Sequence, residues 1–530
     1  MFIAVIPNRN STPTILLRES YREGSKVKSR TLANLTNWQP ARIEAMRRAL
    51  KGEFDGITDK IEPVVDQVFG PLFALKQMAD RLAITGALGK SEMGKLALFL
   101  VLARVAHQGS RLSAVRWARE QAVEQTIGVS EFDENDLYQT LDWLANNQSK
   151  IEEKLYRNYI KRTGKPIALV FYDVTSSYLE GHQNELSEFG YNRDGKRGKR
   201  QIVIGLLTTQ TGEPLAIRVF RGNTADPVTV SQQLAILKQE FGISEVILVG
   251  DRGMIKTKGK AHLADAHYRY ITALTDRQVE KLIREKVIDP VLFDKTVCEI
   301  EHGQLRLILR RSEATARKET QRREDKLSKL ANLIERRNSF TIKSKHANLE
   351  TGLRRLNKWL VRHRLTSFLR LIITDRRLVL NIDEQAKAKA ALLDGCYVLE
   401  TDVSKQLLDA QIIDARYRDL QQVEQDFRTL KTCLLEIRPL FVRKSSRTRG
   451  HVFVAMLALK IVREMHSLLH KAFGTTNDDP LAITLEDALS SLSRLCFYHY
   501  QIKDTELVRL PKPDQRQADI FHALAINFPA

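Results

Sequence analysis

Between residues 166 and 275 short, continuous apolar runs alternate with helix-period segments, and that order limits the folds open to the chain. "PIALVFYD" (166–173) reads as a strand buried on both faces. "RQIVIGLLTT" and "PLAIRVFRG" follow as two more, joined by "QTGE", whose Thr-Gly is a hairpin turn signal. "DPVTVSQQLAILKQEFG" reads as a helix with Asp226 as N-cap, Pro227 at its first position and Gly242 just past its end. "EVILVGD" is a fourth strand, "KGKAHLADAHY" a helix and "RYITALT" a fifth strand. Three strands, helix, strand, helix, strand predicts an α/β unit: a mixed five-stranded sheet with helices on its faces.

A chain of 530 residues is too long for that unit alone, so several domains are expected. Residues 1–65 carry alternating short strands ("FIAVIP", "TILLRESY") and a basic arm with Arg22, Lys26, Lys28 and Arg30. Residues 66–165 read as helical, with apolar residues at i, i+3, i+4 and i+7 in "GKLALFLVLARVA" and "DLYQTLDWLANNQSKIEEKLYRNYI". Arg111, Arg116 and Arg119 between them fit either a DNA-binding unit or an ordinary packing domain; this region is the first candidate for reading DNA. The first part of the α/β core, 166–275, is followed by 276–394, which has short strands in "CEIEHGQLRLILRRS" and a basic helical stretch. Its stripes Leu327, Leu330, Ile334 and Leu349, Leu353, Leu356, Leu360 suit two helices folding back around "NSFTIKSK". This is either a solvated hairpin or a DNA-contacting arm. Residues 395–475 return to the core with a strand in "GCYVLETDV", one long amphipathic helix from Lys405 to Leu435, and an apolar helix in "HVFVAMLALKIVREMHSLLHKAF". Residues 476–530 are a weakly patterned helical tail, loose after 505.

Charge narrows the partner. With 84 Lys and Arg against 64 Asp and Glu the net charge is +20, which calls for a polyanion, first of all nucleic acid. The apolar stretches Leu96–Val105 and Val452–Ile461 are too short to span a bilayer, and "MFIAVIPNRN" lacks the layout of a signal peptide. Four scattered cysteines, Cys298, Cys396, Cys433 and Cys496, make no C-x-x-C pair, so a reducing cytoplasm is expected. His466 and His470 in "HSLLH" have ligand spacing but no third ligand nearby, and read as helix surface. His451 in "RGHVFV" reads as a core buttress.

Carboxylates stand out against this background. Asp173 closes the apolar run "ALVFY" and Asp251 closes "VILVG". In such sheets ligands gather at the carboxyl ends of strands, which would bring the two together. Two bare carboxylates side by side repel and shift each other's pKa; a divalent cation removes the conflict, and Mg²⁺ prefers oxygen ligands. In "YRDLQQVEQDFRTLK" Tyr417, Glu424 and Lys431 recur every seven residues, on one helical face, beside an apolar stripe of Val423, Phe427 and Leu430. Glu424 is then either a third carboxylate for the site or an ordinary surface residue.

With these residues in view the chain resembles the DDE transposases of bacterial insertion sequences, in the subgroup marked by Tyr-x₂-Arg-x₃-Glu-x₆-Lys. Asp173, Asp251 and Glu424 match the triad, and Tyr417 and Lys431 match the signature in register. The arginine position holds Leu420; Arg418 or Arg428 is left to do its work. "GYNRDGKRGKRQIVIGLL", "FRGNTADPVTV" and "LLEIRPLFVRKSSRTRGHVFVAMLAL" fit as well, so the resemblance runs from about 165 to 465.

The resemblance implies an RNase H-like catalytic core interrupted by an insertion domain. It implies a dimeric synaptic complex on the terminal inverted repeats of the element's own double-stranded DNA, cut-and-paste joining of 3′ ends to target DNA, and work beside the bacterial nucleoid. Asp173, Asp251 and Glu424 would be catalytic and would hold two Mg²⁺ ions, with Mn²⁺ as a substitute. Paired metals about 3.5–4 Å apart suit in-line phosphodiester displacement. Tyr417, Lys431 and Arg428 would contact phosphates. Arg193, Lys196, Arg197, Lys199 and Arg200 in "RDGKRGKR" would track the backbone, or else form a solvated charge run. Thr175, Ser176 and Ser177 need not be nucleophiles. Two other readings stay open: a metal-dependent nuclease of the same fold without strand transfer, and a non-catalytic DNA-binding protein descended from a transposase.

Overall fold

The computed structural model describes residues 1–530 apart from Asn10, 54–60, His182, Gly253, Lys295, 345–347, 432–434, 436, 439, 476–478, 480–481, 503–504 and Ala530. Strands β1 (Phe2–Ile6), β2 (Thr14–Glu23) and β3 (Lys26–Asn34) form an antiparallel meander, followed by helix α1 (Pro40–Leu50). Arg22, Lys26, Lys28 and Arg30 lie exposed at its β2–β3 end, with Lys28 paired to Glu23 and Arg30 to Glu19. Strand β4 (Ile61–Val68) leads into helices α2 (Gly70–Arg81), α3 (Ile84–Leu88), α4 (Glu92–Ala106), α5 (Arg111–Ala118), α6 (Val123–Ile127) and α7 (Glu134–Thr163). Arg116 and Arg119 are exposed, but Arg111 is buried with a guanidinium nitrogen 3.3 Å from His451 Nδ1, so it serves packing and not a phosphate backbone.

The central sheet follows the expected order. β5 (Leu169–Tyr178), β6 (Gln201–Thr209) and β7 (Pro214–Arg221) run antiparallel. Helix α8 (Asp226–Ala235) crosses over to β8 (Ile247–Gly250), parallel to β5, and α9 (Thr257–Asp265) to β9 (Arg269–Ala273), parallel to β8. Asp226 is the first residue of α8 and not its cap; Ala225 caps the helix, and the Asp226 carboxylate is engaged by Arg193. The order β7-β6-β5-β8-β9 is the RNase H-like arrangement.

The sheet does not stop at five strands. After α10 (Asp276–Arg284) come β10 (Cys298–His302) and β11 (Leu305–Arg311), and further along β14 (Cys396–Thr401). β14 lies antiparallel between β9 and β11, giving eight strands in the order β10-β11-β14-β9-β8-β5-β6-β7. Between β11 and β14, α11 (Glu313–Lys343) and α12 (Leu349–Arg362) pair through Leu330, Ile334, Leu356 and Leu360. The hairpin of β12 (Leu369–Thr374) and β13 (Arg377–Ile382) packs on them, and α13 (Glu384–Ala391) follows. The reversal comes after the "NSFTIK" segment, which stays helical; nothing in α11 is a Gly or Pro that would end it sooner.

Helices α14 (Ala410–Asp419) and α15 (Gln421–Lys431) precede α16 (Ser445–Phe473), whose stretch Val452–Val462 is wholly buried against α4, α7, α15 and β7. The end of the chain is more ordered than its patterning suggests. α17 (Leu485–Leu492) precedes β15 (Cys496–Ile502) and β16 (Thr505–Arg509), which join β4 in a three-stranded sheet. α18 (Gln515–Ala523) then buries Ile520 and Phe521. Among the described residues no helix is long and apolar enough to cross a membrane. Among the described residues Cys298, Cys396 and Cys496 are in no disulfide; Cys433 lies outside them.

Candidate active site

Strand pairing brings the two aspartates together. Residues 169–172 of β5 lie beside 247–250 of β8, with Tyr172 opposite Gly250, so Asp173 and Asp251 occupy the next rung of the same register. Only Asp251 stands at a strand end. β5 runs on five residues past Asp173, paired to β6 through Tyr178, while β8 stops at Gly250. Asp173 therefore sits where one flank of a continuing strand loses its partner. Ser176 and Ser177 on that continuation are fully buried, which removes them from any nucleophilic role.

Glu424 arrives from α15. Val423, Phe427 and Leu430 bury that helix's apolar stripe, and α15 packs on β5. The long helix expected from 405 to 435 is interrupted at Leu420, whose N–H bonds Tyr417 three residues back, so Tyr417 ends up on α14. Its hydroxyl lies 3.3 Å from Asp251 Oδ1 and donates there. Burial and the Asp251 charge push the Tyr417 phenol well above its ordinary value, which keeps it a donor.

Asp173, Asp251 and Glu424 meet in a cavity of about 390 Å³. Five carboxylates line it: Asp173, Asp194, Asp226, Asp251 and Glu424. Cations occupy two of them. Arg193 holds both oxygens of Asp226 at 2.5 and 2.6 Å, and Asp194 takes Lys431 at 2.9 Å and Arg438 at 2.8 Å. Among the described residues no cation is in ion-pair contact with the other three. Burial first, then the charges of Asp251 and Glu424, push Asp173 up to about 7; the Val174 N–H, 2.7 Å from its Oδ1, and Arg193 oppose the rise. Asp251 accepts from the Arg252 N–H at 2.6 Å.

The cations divide between this cavity and its rim. Arg193, Arg252, Arg428, Lys431 and Arg438 line it. Arg252 is paired to Asp276. In "RDGKRGKR" Lys196 lies over the Tyr178 ring, Lys199 pairs with Glu180 at 2.7 Å, Arg200 lies over the Phe189 ring and Arg197 is exposed. Nothing in the sequence reading points to Asp194, Arg252 or Arg438 as site residues, and Asp226 enters it only as a helix cap. Asp194 was within reach, embedded in the basic run, whereas nothing in "LLEIRPL" marks Arg438.

An all-carboxylate donor set, with Asp173, Asp251 and Glu424 in no ion pair among the described residues, suits a hard divalent cation. Among the described residues no three His, Cys, Asp or Glu side chains are drawn close enough to form a finished metal cage. His466 and His470 stack on each other on α16 and gain no further ligand, and His451 is buried against Arg111.

Comparison with known proteins bears on this arrangement. Residues 3–60 match the family model described as the IS1634 family transposase N-terminal domain, and residues 164–461 the one described as the transposase DDE domain. No curated protein matches the chain. Among solved structures, the piggyBac transposase synaptic complex with hairpin DNA is 11% identical over 88% of this chain and 81% of that one, with a TM-score of 0.34. The Mos1 transposase paired-end complex with left transposon end is 12% identical over 34% of this chain and 58% of that one, with a TM-score of 0.15.

Proposed function

As this chain belongs to the DDE transposases of bacterial insertion sequences, we propose that it cleaves the ends of its own element and joins their 3′ ends to target DNA. The observation that carries this is the convergence of Asp173, Asp251 and Glu424, from adjacent strands and a packed helix, on one cavity, where none of the three is ion-paired among the described residues.

DDE transposases use divalent metal ions, and here Asp173, Asp251 and Glu424 would hold two Mg²⁺, with Mn²⁺ as substitute. The bound ions would supply Lewis acidity to the attacking and leaving oxygens of an in-line displacement. The chain's own groups do the rest. Tyr417 fixes the orientation of the Asp251 carboxylate. Lys431 and Arg428 hold phosphates near the reacting bond, and Arg193, Lys196, Arg197, Lys199 and Arg200 follow the backbone as it leaves the cavity. Water attacks the phosphodiester in the first step and the freed 3′-hydroxyl attacks target DNA in the second. One site serves both because only the nucleophile changes. The partner is double-stranded DNA carrying the terminal repeats, bound by a dimer of this chain, in keeping with the net charge of +20. The division at 65, 165, 275, 394 and 475 is the domain scheme that goes with this reading.

The test uses purified protein, a labelled pre-cleaved duplex from the DNA flanking the gene, a target plasmid and Mg²⁺, with Glu424→Ala alongside. Joined products from wild type and none from the variant are expected. Cleavage without joining would make the protein a nuclease, and equal binding without products would make it a DNA-binding protein with an idle site.

A further inference from the structure

The signature arginine that should precede Glu424 by four positions is missing, and its place is not open to DNA: Leu420 is 5% exposed and packs in the main core. Nearby Arg418 is 3.2 Å from Asp414, a carboxylate that also takes Arg310 and the Tyr397 hydroxyl. Arg428 lines the cavity, and a further guanidinium reaches it by another route. Arg438, beyond the end of α15, lies with Lys431 on a single oxygen of Asp194. The other Asp194 oxygen accepts the backbone N–H of Tyr178 at 3.2 Å, so its carboxylate is fixed from three sides. Its side chain is 1% exposed.

We propose that Lys431 and Arg438, fixed by the buried carboxylate of Asp194, form a two-cation clamp for one DNA phosphate beside the reacting bond, with Arg438 replacing the missing signature arginine. This rests on the transposase reading above. Two cations on one carboxylate leave a surplus positive charge at the cavity wall. Arg438, with 27% of its side chain exposed against 11% for Lys431, is the more accessible of the two. It spends one of five donors on Asp194, and a guanidinium fork matches phosphate geometry. Lys431 leaves its helix two turns, about 10 Å, from Glu424. At about 3.4 Å per nucleotide of strand, the clamped phosphate lies within about three nucleotides of the scissile bond. Asp194 touches no DNA and is a positioning residue.

The test is a scan of the pre-cleaved end, replacing each phosphate near the terminus in turn by an uncharged methylphosphonate. Binding and joining are measured for wild type, Arg438→Ala and Asp194→Asn. One position should weaken wild-type binding about ten- to a hundredfold and have little further effect on Arg438→Ala. The salt dependence of binding by Arg438→Ala should fall by about one phosphate contact. Asp194→Asn should blunt the response at the same position. Equal losses in wild type and Arg438→Ala at every position would overturn the clamp. If Arg438→Ala fails to fold by circular dichroism, Arg438→Gln removes the charge while keeping most of the side chain's bulk and carries the same comparison. Wild-type joining without a phosphate signature sinks the clamp alone; a signature without joining sinks the transposase reading and leaves the clamp.

Discussion

The most informative single group is Asp173. An aspartate ordinarily titrates near 3.8, and here burial and two neighbouring carboxylates carry it to about 7. The folded value lies above the unfolded one, so the stability tied to this proton is complete below about pH 4 and is lost as pH rises to 7. Melting curves of metal-free protein should fall across that window, and Asp173→Asn should flatten the fall and melt higher than wild type at pH 8. Mg²⁺ should raise the melting temperature of wild type at pH 8 but not that of Asp173→Asn. Parallel curves for the two proteins would remove the electrostatic account. His451 has the opposite sign. Burial first, then Arg104 and Arg111, hold its ring well below 6.5. The unfolded chain therefore takes up a proton that the folded one refuses, and stability declines below pH 6.5 by roughly 1.4 kcal/mol per pH unit. Urea unfolding of His451→Gln at pH 5.5 and 7.5 should show a smaller difference than wild type. Asp173 and Asp251 were legible because each interrupts an apolar run. Arg438 was not: its partner lies 244 positions away, and no period in the sequence records that distance.

Among the elements, the five core strands could be read because each carries a short, largely buried apolar run. Their lengths could not. The carboxylate at 173 ends the apolar pattern of β5, but the antiparallel ladder to β6 needs only backbone and carries the strand to Tyr178. The seven-residue spacing of Tyr417, Glu424 and Lys431 hid the break at Leu420 for a similar reason: heptad spacing survives a one-residue interruption. Helix α16 illustrates a constraint that a residue type alone does not disclose. A β-carbon on Gly450 would overlap the backbone carbonyl of Leu141 in α7, and backbone on that helix cannot swing aside. Gly450→Ala should lower stability by about 1–3 kcal/mol, read from denaturant midpoints at unchanged slope. A midpoint within error of wild type would mean the two helices part freely.

At the scale of the whole molecule, the segment 276–394 is woven into the core and not hung from it. Its strands β10 and β11 extend the central sheet through β14, the strand that leads to α14 and α15. Joining residue 275 directly to 395 would leave β14 as a bare edge with open ladder groups. Such a chain should elute as aggregate on size exclusion, whereas an independent appendage would leave a well-behaved monomer or dimer behind. The basic composition of 276–394 was legible, but which strands it would pair with depends on contacts far apart in the chain. The continuous sheet also sets a clock. Glu424 comes 173 positions after Asp251. At about 5–20 residues per second a ribosome needs roughly 9–35 s to make that interval. Throughout it the nascent chain holds two acids of three beside an unfinished sheet. A product cut short within residues 276–394 thus lacks Glu424, and on the reading proposed above it carries a site with two of its three acids.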